Sequence, residues 1–227
     1  MRRRSLAAAA TGLLALLLTA CAPPAAQGDL GCSRSSVPCL QGKVRVALTT
    51  SRGRVLIDLD GSSAPLTAGN VLDLVRRGAY NGTVFHRVVR EPQPFVVQGG
   101  DPQSANPSVP ATSWGQGSWI DPATNAPRFI PLELKRKGDR QPRYGTVLEG
   151  PRISEELALP HHRGAVAMAR SQDPNSASAQ FYVALADLPE LDGRYAVFGT
   201  VVEGMPVVDA IRQGDRLIKA EVVGPVR

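Results

Sequence analysis

Two short runs set isolated polar side chains among apolar neighbours at strand spacing. Phe85-His86-Arg87-Val88-Val89 carries one arginine, and Phe95-Val96-Val97-Gln98, running on into Gly99-Gly100-Asp101, carries one glutamine. A later block supplies Gln180-Phe181-Tyr182-Val183 and then Leu191-Asp192-Gly193-Arg194-Tyr195, adding a second glutamine and two tyrosines. Because side chains alternate across a strand, Gln180 and Tyr182 share one face while Phe181 and Val183 take the other, and Val96 and Gln98 likewise point together. Such a face can hold an apolar group and touch it with a planar, permanently charged donor and with amides. The chemistry open to this set is binding and hydrogen bonding. Bond-cleaving machinery is missing from the sequence: there is no Gly-x-Ser-x-Gly elbow, no His-Glu-x-x-His, no phosphate-cradling loop, and only three histidines. No cofactor is called for. His161 and His162 are adjacent and would face apart on a strand, so no metal site is expected.

Taken in order, these motifs resemble the cyclophilin family of peptidyl-prolyl isomerases, over about residues 43–223 and with a long insertion at about 102–162. The resemblance implies that Arg87 is the main catalytic residue, with Phe95 and Gln98 beside it. It puts the proline pocket on Phe95, Val96, Tyr182 and Leu191, with Tyr195 as a further wall. It puts the substrate-backbone contacts on Gln98, Gln180 and the chain at Ala169 and Arg170. The implied fold is mainly β, a closed eight-stranded antiparallel barrel capped by two helices. The implied activity is rotation about X-Pro bonds in proline-containing segments of exported polypeptides, which assists their folding. A different class of function, a domain that captures proline segments as a chaperone without turnover, is disfavoured by Arg87, since the pocket alone would serve for binding. Glu190 stands where cyclosporin-sensitive members carry tryptophan, and Arg170, Tyr195 and Val96 also replace residues common in those proteins. Neither drug sensitivity nor a preference for the residue before proline is therefore implied.

The elements that must position these residues are legible from period and punctuation. Val44, Val46 and Leu48 alternate with Arg45, Ala47 and Thr49, Ser51-Arg52-Gly53 turns the chain, and Val55, Ile57 and Leu59 alternate again, which predicts a hairpin. Thr67 is the expected helix N-cap, Val71, Leu74 and Val75 the buried stripe, and Gly78 the stop. A second helix is expected from about 205 to 212, and further strands at 83–89, 95–98, 165–169, 180–184, 196–202 and 217–223. Many short strands with turn signals suit a barrel, and the alternation puts the site in an external groove and not in the lumen. Within 102–162 the pattern is repeatedly interrupted by Pro, Gly, Ser and Asn, although 129–134 could form a strand. Lys135, Arg136, Lys137, Arg140 and Arg143 there read as a solvated face.

Composition bounds the rest. The 227 residues, 43% hydrophobic, suffice for one domain with tails, most simply a monomer. The formal charge is +6, but three of the positive charges are Arg2, Arg3 and Arg4, in a segment expected to be removed, so the balance makes no case for nucleic acid. Those arginines, the apolar run 6–18 and the small residues after it form an export signal covering 1–20. Leu18-Thr19-Ala20-Cys21 looks like a bacterial lipobox, which would make Cys21 the lipidated N-terminus and fix the protein to the cell envelope outside the cytoplasm. Ordinary cleavage after Ala22 is the alternative, and an uncleaved membrane helix over Ser5 to Ala22, which barely approaches the ~20 apolar residues a span needs, is the third. Residues 21–42, rich in Ala, Pro, Gly and Ser, read as a flexible tether. Within that stretch Cys32 and Cys39 flank a short loop with no histidine or carboxylate, so a disulfide is expected there.

Overall fold

The computed structural model describes residues 31–33 and 35–226. The expected signal segment and Cys21 lie outside the described residues. The expected hairpin forms from β1 (Lys43–Thr50) and β2 (Gly53–Asp60), paired in register from Lys43↔Asp60 to Thr50↔Gly53. Helix α1 (Pro65–Arg76) follows, then β3 (Thr83–Val84), β4 (Arg87–Val89) and β5 (Val96–Gly99). The 102–162 stretch holds two short 3-10 helices (Pro102–Ala105 and Ala111–Ser113), a two-residue pair β6 (Ile120–Asp121) with β7 (Ala126–Pro127), a second pair β8 (Glu133–Leu134) with β9 (Arg143–Tyr144), and one turn of helix, α2 (Ile153–Glu156). The chain closes with β10 (Ala165–Met168), β11 (Phe181–Ala184), β12 (Val197–Glu203), α3 (Met205–Ala210) and β13 (Arg216–Pro225).

The main sheet has nine strands in the order β3-β13-β1-β2-β12-β10-β11-β5-β4, curled into a half-barrel, and this corrects the expected closed barrel of eight. The physical reason lies at Phe85 and His86. The stretch expected as one strand over 83–89 breaks there into β3 and β4, which pair with β13 and β5 at opposite ends of the order. Phe85 still bonds its backbone to Asp215 and Gly214 while its ring fills the core at 2% exposure, and the chain leaves the pairing at His86. The two free edges are thus joined through the covalent chain and not by a hydrogen-bonded ladder.

Alternation sorts the side chains as expected. Phe181, Val183 and Val97 enter the main core with Leu48, Ile57, Leu59, Val166 and Phe198, whereas Tyr182 and Val96 fall in a second apolar cluster with Ala167 and Val197 on the opposite face. The 102–162 stretch is a packed lobe and not a bare loop: Leu132, Leu134, Leu148 and Leu157 bury one another together with Ala196. Its strand is shorter than 129–134 suggested, since Ile130 makes only an isolated bridge to Ala177.

Two expectations at the start of the fold are revised. Thr67 is not the N-cap of α1: the helix begins two residues earlier, its N-cap Ala64 has no capping side chain, and Thr67 is fully buried within the first turn. The acceptor comes from 66 residues away, where the buried Glu133 takes the backbone N–H of Thr67 on Oε2 at 2.7 Å and that of Leu66 on Oε1 at 3.1 Å. Order also begins before Lys43. Cys32 and Cys39 are joined in a disulfide, Val37 and Leu40 are buried, and the Leu40 N–H donates to the Pro65 carbonyl at 2.9 Å. A Cβ on Gly69 would run into the Pro38 carbonyl, so this approach of segment to helix requires glycine. The stretch 35–40 is therefore part of the domain and not of a tether.

Candidate functional site

Strand register builds the site. Arg87 on β4 stands opposite Gln98 on β5, Gln98 opposite Tyr182 on β11, and Tyr182 opposite Ala167 on β10. One row across four strands thus sets an arginine, a glutamine and a tyrosine side by side on the outer face. Two rows along, on the same face, Val89, Val96 and Ala184 are similarly aligned and give an apolar floor. Around this row Arg87, Phe95, Val96, Gln98, Ala169, Arg170, Tyr182, Leu191 and Tyr195 line a cleft of about 390 Å³. Eight of the expected site residues therefore surround Arg87 in a single groove. Gln180 lies one step away, lining an adjoining cleft of about 410 Å³ with Gly115, Gly117, Ser178 and Phe129. Gln98, Ala169 and Arg170 line both clefts, so an extended chain seated in one would run into the other. Glu190 is exposed and does not line the first cleft.

The polar groups form a chain with a fixed direction. The Gln180 amide donates to the carbonyls of Gly115 and Gly117 at 3.0 and 2.8 Å, which leaves its oxygen to accept the Gln98 amide N–H at 3.2 Å. The Gln98 oxygen is then turned to Arg87, whose Nη1 donates to it at 3.4 Å. Gln180, expected to contact a ligand, is thus largely committed to holding Gln98. The 115–117 turn is held in its own right by the buried Asp101, whose carboxylate accepts the N–H groups of Gly115 and Gly117 at 2.7 and 3.2 Å, and His86 packs against Gly115. Burial pushes the His86 imidazole below its ordinary value, which favours the neutral ring.

Arg87 is itself exposed, and its guanidinium lies 5.6 Å from the centre of the Phe95 ring. Cation–π attraction of about 0.5–1 kcal/mol at such a site keeps the charge over the apolar floor. On the other side of the cleft the Arg170 guanidinium covers the Tyr195 ring at 4.8 Å and donates to the carbonyls of Arg194, Ser171 and Gln172. Tyr195 meets Tyr182 edge to face, with ring centres 5.9 Å apart.

Beneath the cleft lies a feature that neither period nor motif revealed. The Tyr182 hydroxyl meets His161 Nε2 at 2.9 Å, and His161 Nδ1 meets Asp192 Oδ1 at 2.7 Å. All three residues are buried. Burial acts to raise the Asp192 carboxyl, but bonds from the His161 ring, Ser154 and the His161 N–H outweigh it and hold the group below the ordinary carboxylate range. Burial also pushes the Tyr182 phenol well up, so it stays neutral. Among the described residues no group of three or more His, Cys, Asp or Glu side chains is placed to share a metal ion. The tyrosine standing on a ligand-facing row was the one sequence signal that a buried partner would be needed.

Comparison with known proteins converges on one family. Residues 45–227 match the family model described as cyclophilin type peptidyl-prolyl cis-trans isomerase/CLD. A Synechocystis sp. protein assigned to the thylakoid lumen as a peptidyl-prolyl cis-trans isomerase is 38% identical over 199 residues, covering 83% of this chain and 49% of that protein. Peptidyl-prolyl cis-trans isomerase A of Dickeya dadantii is 36% identical over 185 residues, covering 79% of this chain and 75% of the relative. The chain thus spans about half the length of the Synechocystis relative. Among solved structures, a Cryptosporidium parvum cyclophilin type isomerase superposes with a TM-score of 0.57 at 22% identity, covering 79% of this chain and 97% of that one. With the family model spanning nearly all of the described fold and the motif residues gathered in one groove, the chain belongs to the cyclophilin type peptidyl-prolyl cis-trans isomerase family.

Proposed function

We propose that the domain accelerates cis-trans rotation about X-Pro bonds in polypeptides outside the cytoplasm. The observation that carries this reading is the single groove in which Arg87 and Gln98 stand over the apolar Phe95, Val96, Tyr182 and Leu191. Rotation about the amide faces a barrier of roughly 18–20 kcal/mol, set by resonance, and needs no bond to be made or broken. In the twisted state the nitrogen loses conjugation and becomes a better acceptor, so a donor aimed at it stabilises the transition state more than the ground state. Arg87 supplies that donor, with Gln98 holding its orientation and the apolar walls excluding water from the proline ring. Gln98 and the chain at Ala169 and Arg170 hold the substrate backbone. An exchange assay on a short X-Pro peptide with residues 31–227 tests this. Acceleration is expected, and binding of the peptide without acceleration would instead establish a capture module.

The leader sequence and the thylakoid lumen naming of the Synechocystis relative support this setting. Cleavage at the lipobox would leave Cys21 lipidated and tie the domain to the envelope by the few residues before Gly31. The mass of the mature N-terminus checks this: a diacylglyceryl adduct on Cys21 is expected, and an unmodified terminus at Pro23 or beyond would remove the anchor.

A further inference from the structure

We infer that Asp192, His161 and Tyr182 act as one positioning unit that fixes a wall of the cleft and so makes it select the five-membered ring of proline over larger rings. The inference rests on the reading of the cleft as a proline site. Tyr182 is 5% exposed, His161 2% and Asp192 5%, so a broken bond among them cannot be replaced by water without opening the fold. Each member needs the next. The phenol oxygen of Tyr182 bonds to His161 Nε2 at 2.9 Å, and His161 Nδ1 to Asp192 Oδ1 at 2.7 Å. That same carboxylate oxygen also accepts the backbone N–H of His161 at 2.8 Å.

The unit clamps two walls at once. The His161 ring stacks on the Tyr182 ring, with centres 6.0 Å apart and planes 14° from parallel, while Tyr195 closes the other side edge-on. The His161 carbonyl accepts the N–H of Leu188, and Asp192, bonded to the His161 ring, directly follows the wall residue Leu191, so the segment carrying that wall is pinned at both ends to His161. A phenylalanine at 182 could tilt away from an oversized ligand at little cost. The tyrosine cannot, because retreat would strand the phenol and the imidazole in a dry interior. One extra methylene against a rigid apolar wall is discriminated by about 10- to 200-fold, and a wall that yields gives up much of this.

The test compares two peptides, identical except that one carries proline and the other its six-membered homologue, pipecolate. Binding of each to residues 31–227 is measured by NMR titration, which does not depend on turnover. The wild type is expected to favour the proline peptide by at least about tenfold. Tyr182→Phe, which removes one oxygen and keeps the ring, is expected to bring that ratio to within about threefold of unity. His161→Gln, whose amide can donate to Asp192 and accept from Tyr182, is expected to retain most of the preference, whereas His161→Leu loses it. A Tyr182→Phe ratio equal to that of the wild type, with only a lower melting temperature, would reduce the unit to a structural role and overturn the inference. A wild type that binds proline peptide but does not discriminate would also overturn it. A wild type that binds neither peptide would refute the reading of the cleft itself.

Discussion

Arg87→Ala is expected to lower kcat/KM for X-Pro isomerisation by about 100- to 1000-fold, the loss seen when a single preorganised donor to a transition state is removed. The loss should fall mainly on kcat, with peptide affinity less affected, because Phe95, Val96, Tyr182 and Leu191, which supply the apolar contact with the ring, all remain in the cleft. Arg87→Lys should fall between the two. It keeps the charge, but a point ammonium can neither lie flat over the Phe95 ring nor present a planar fork to Gln98. Exchange kinetics on one peptide with all three proteins decides the matter, and an Arg87→Ala rate equal to that of the wild type would remove Arg87 from the mechanism. Gln98→Ala offers a graded companion. It should cost less, since the donor survives and only the amide that orients it is lost.

The groove was legible because strand alternation and strand order are both written in short runs. Tyr182 and Gln180 had to oppose Phe181 and Val183, and the register of β4, β5 and β11 then needed only antiparallel neighbours to bring Arg87, Gln98 and Tyr182 into one row. What remained illegible depends on contacts between distant segments. Nothing near Gln180 in sequence shows that its amide is taken by the 115–117 turn, or that a carboxylate at 133 would supply the cap that made Thr67 look necessary. Tether composition at 35–40 was misleading for a related reason: Val37 and Leu40 are two apolar residues in a polar stretch, too few to signal burial, yet the Cys32–Cys39 disulfide and the Pro65 carbonyl dock them. The closed ladder expected from the resemblance failed at His86, which packs against Gly115 between the two short strands, so that β3 pairs with β13 and β4 with β5 at opposite ends of the sheet.

Glu133→Ala is expected to destabilise the domain by about 2–4 kcal/mol, because two buried backbone N–H groups lose their acceptor at about 1–3 kcal/mol each, less whatever relaxation recovers. Helix α1 has no alternative. Ala64 cannot cap, Pro65 supplies no N–H, and Thr67 and Leu66 are at 0% exposure, so water does not reach the vacated positions. The carboxylate also sits at the positive end of the helix dipole, where an anion is favoured, while burial pushes its carboxyl up against the pull of the Thr67 and Leu66 donors. Glu133→Gln should recover only part of the loss, since its amide offers one acceptor and turns an N–H toward the other donor. For a chain of this length the alanine variant should melt about 5–15 °C lower. The exchange of the Leu66 and Thr67 amides with solvent should quicken more than that of β1 or β2. Because Glu133 belongs to the 102–162 lobe, the same result would show that the lobe holds up the helix against which the core packs. A melting temperature within about 2 °C of wild type would show that α1 starts without its remote cap.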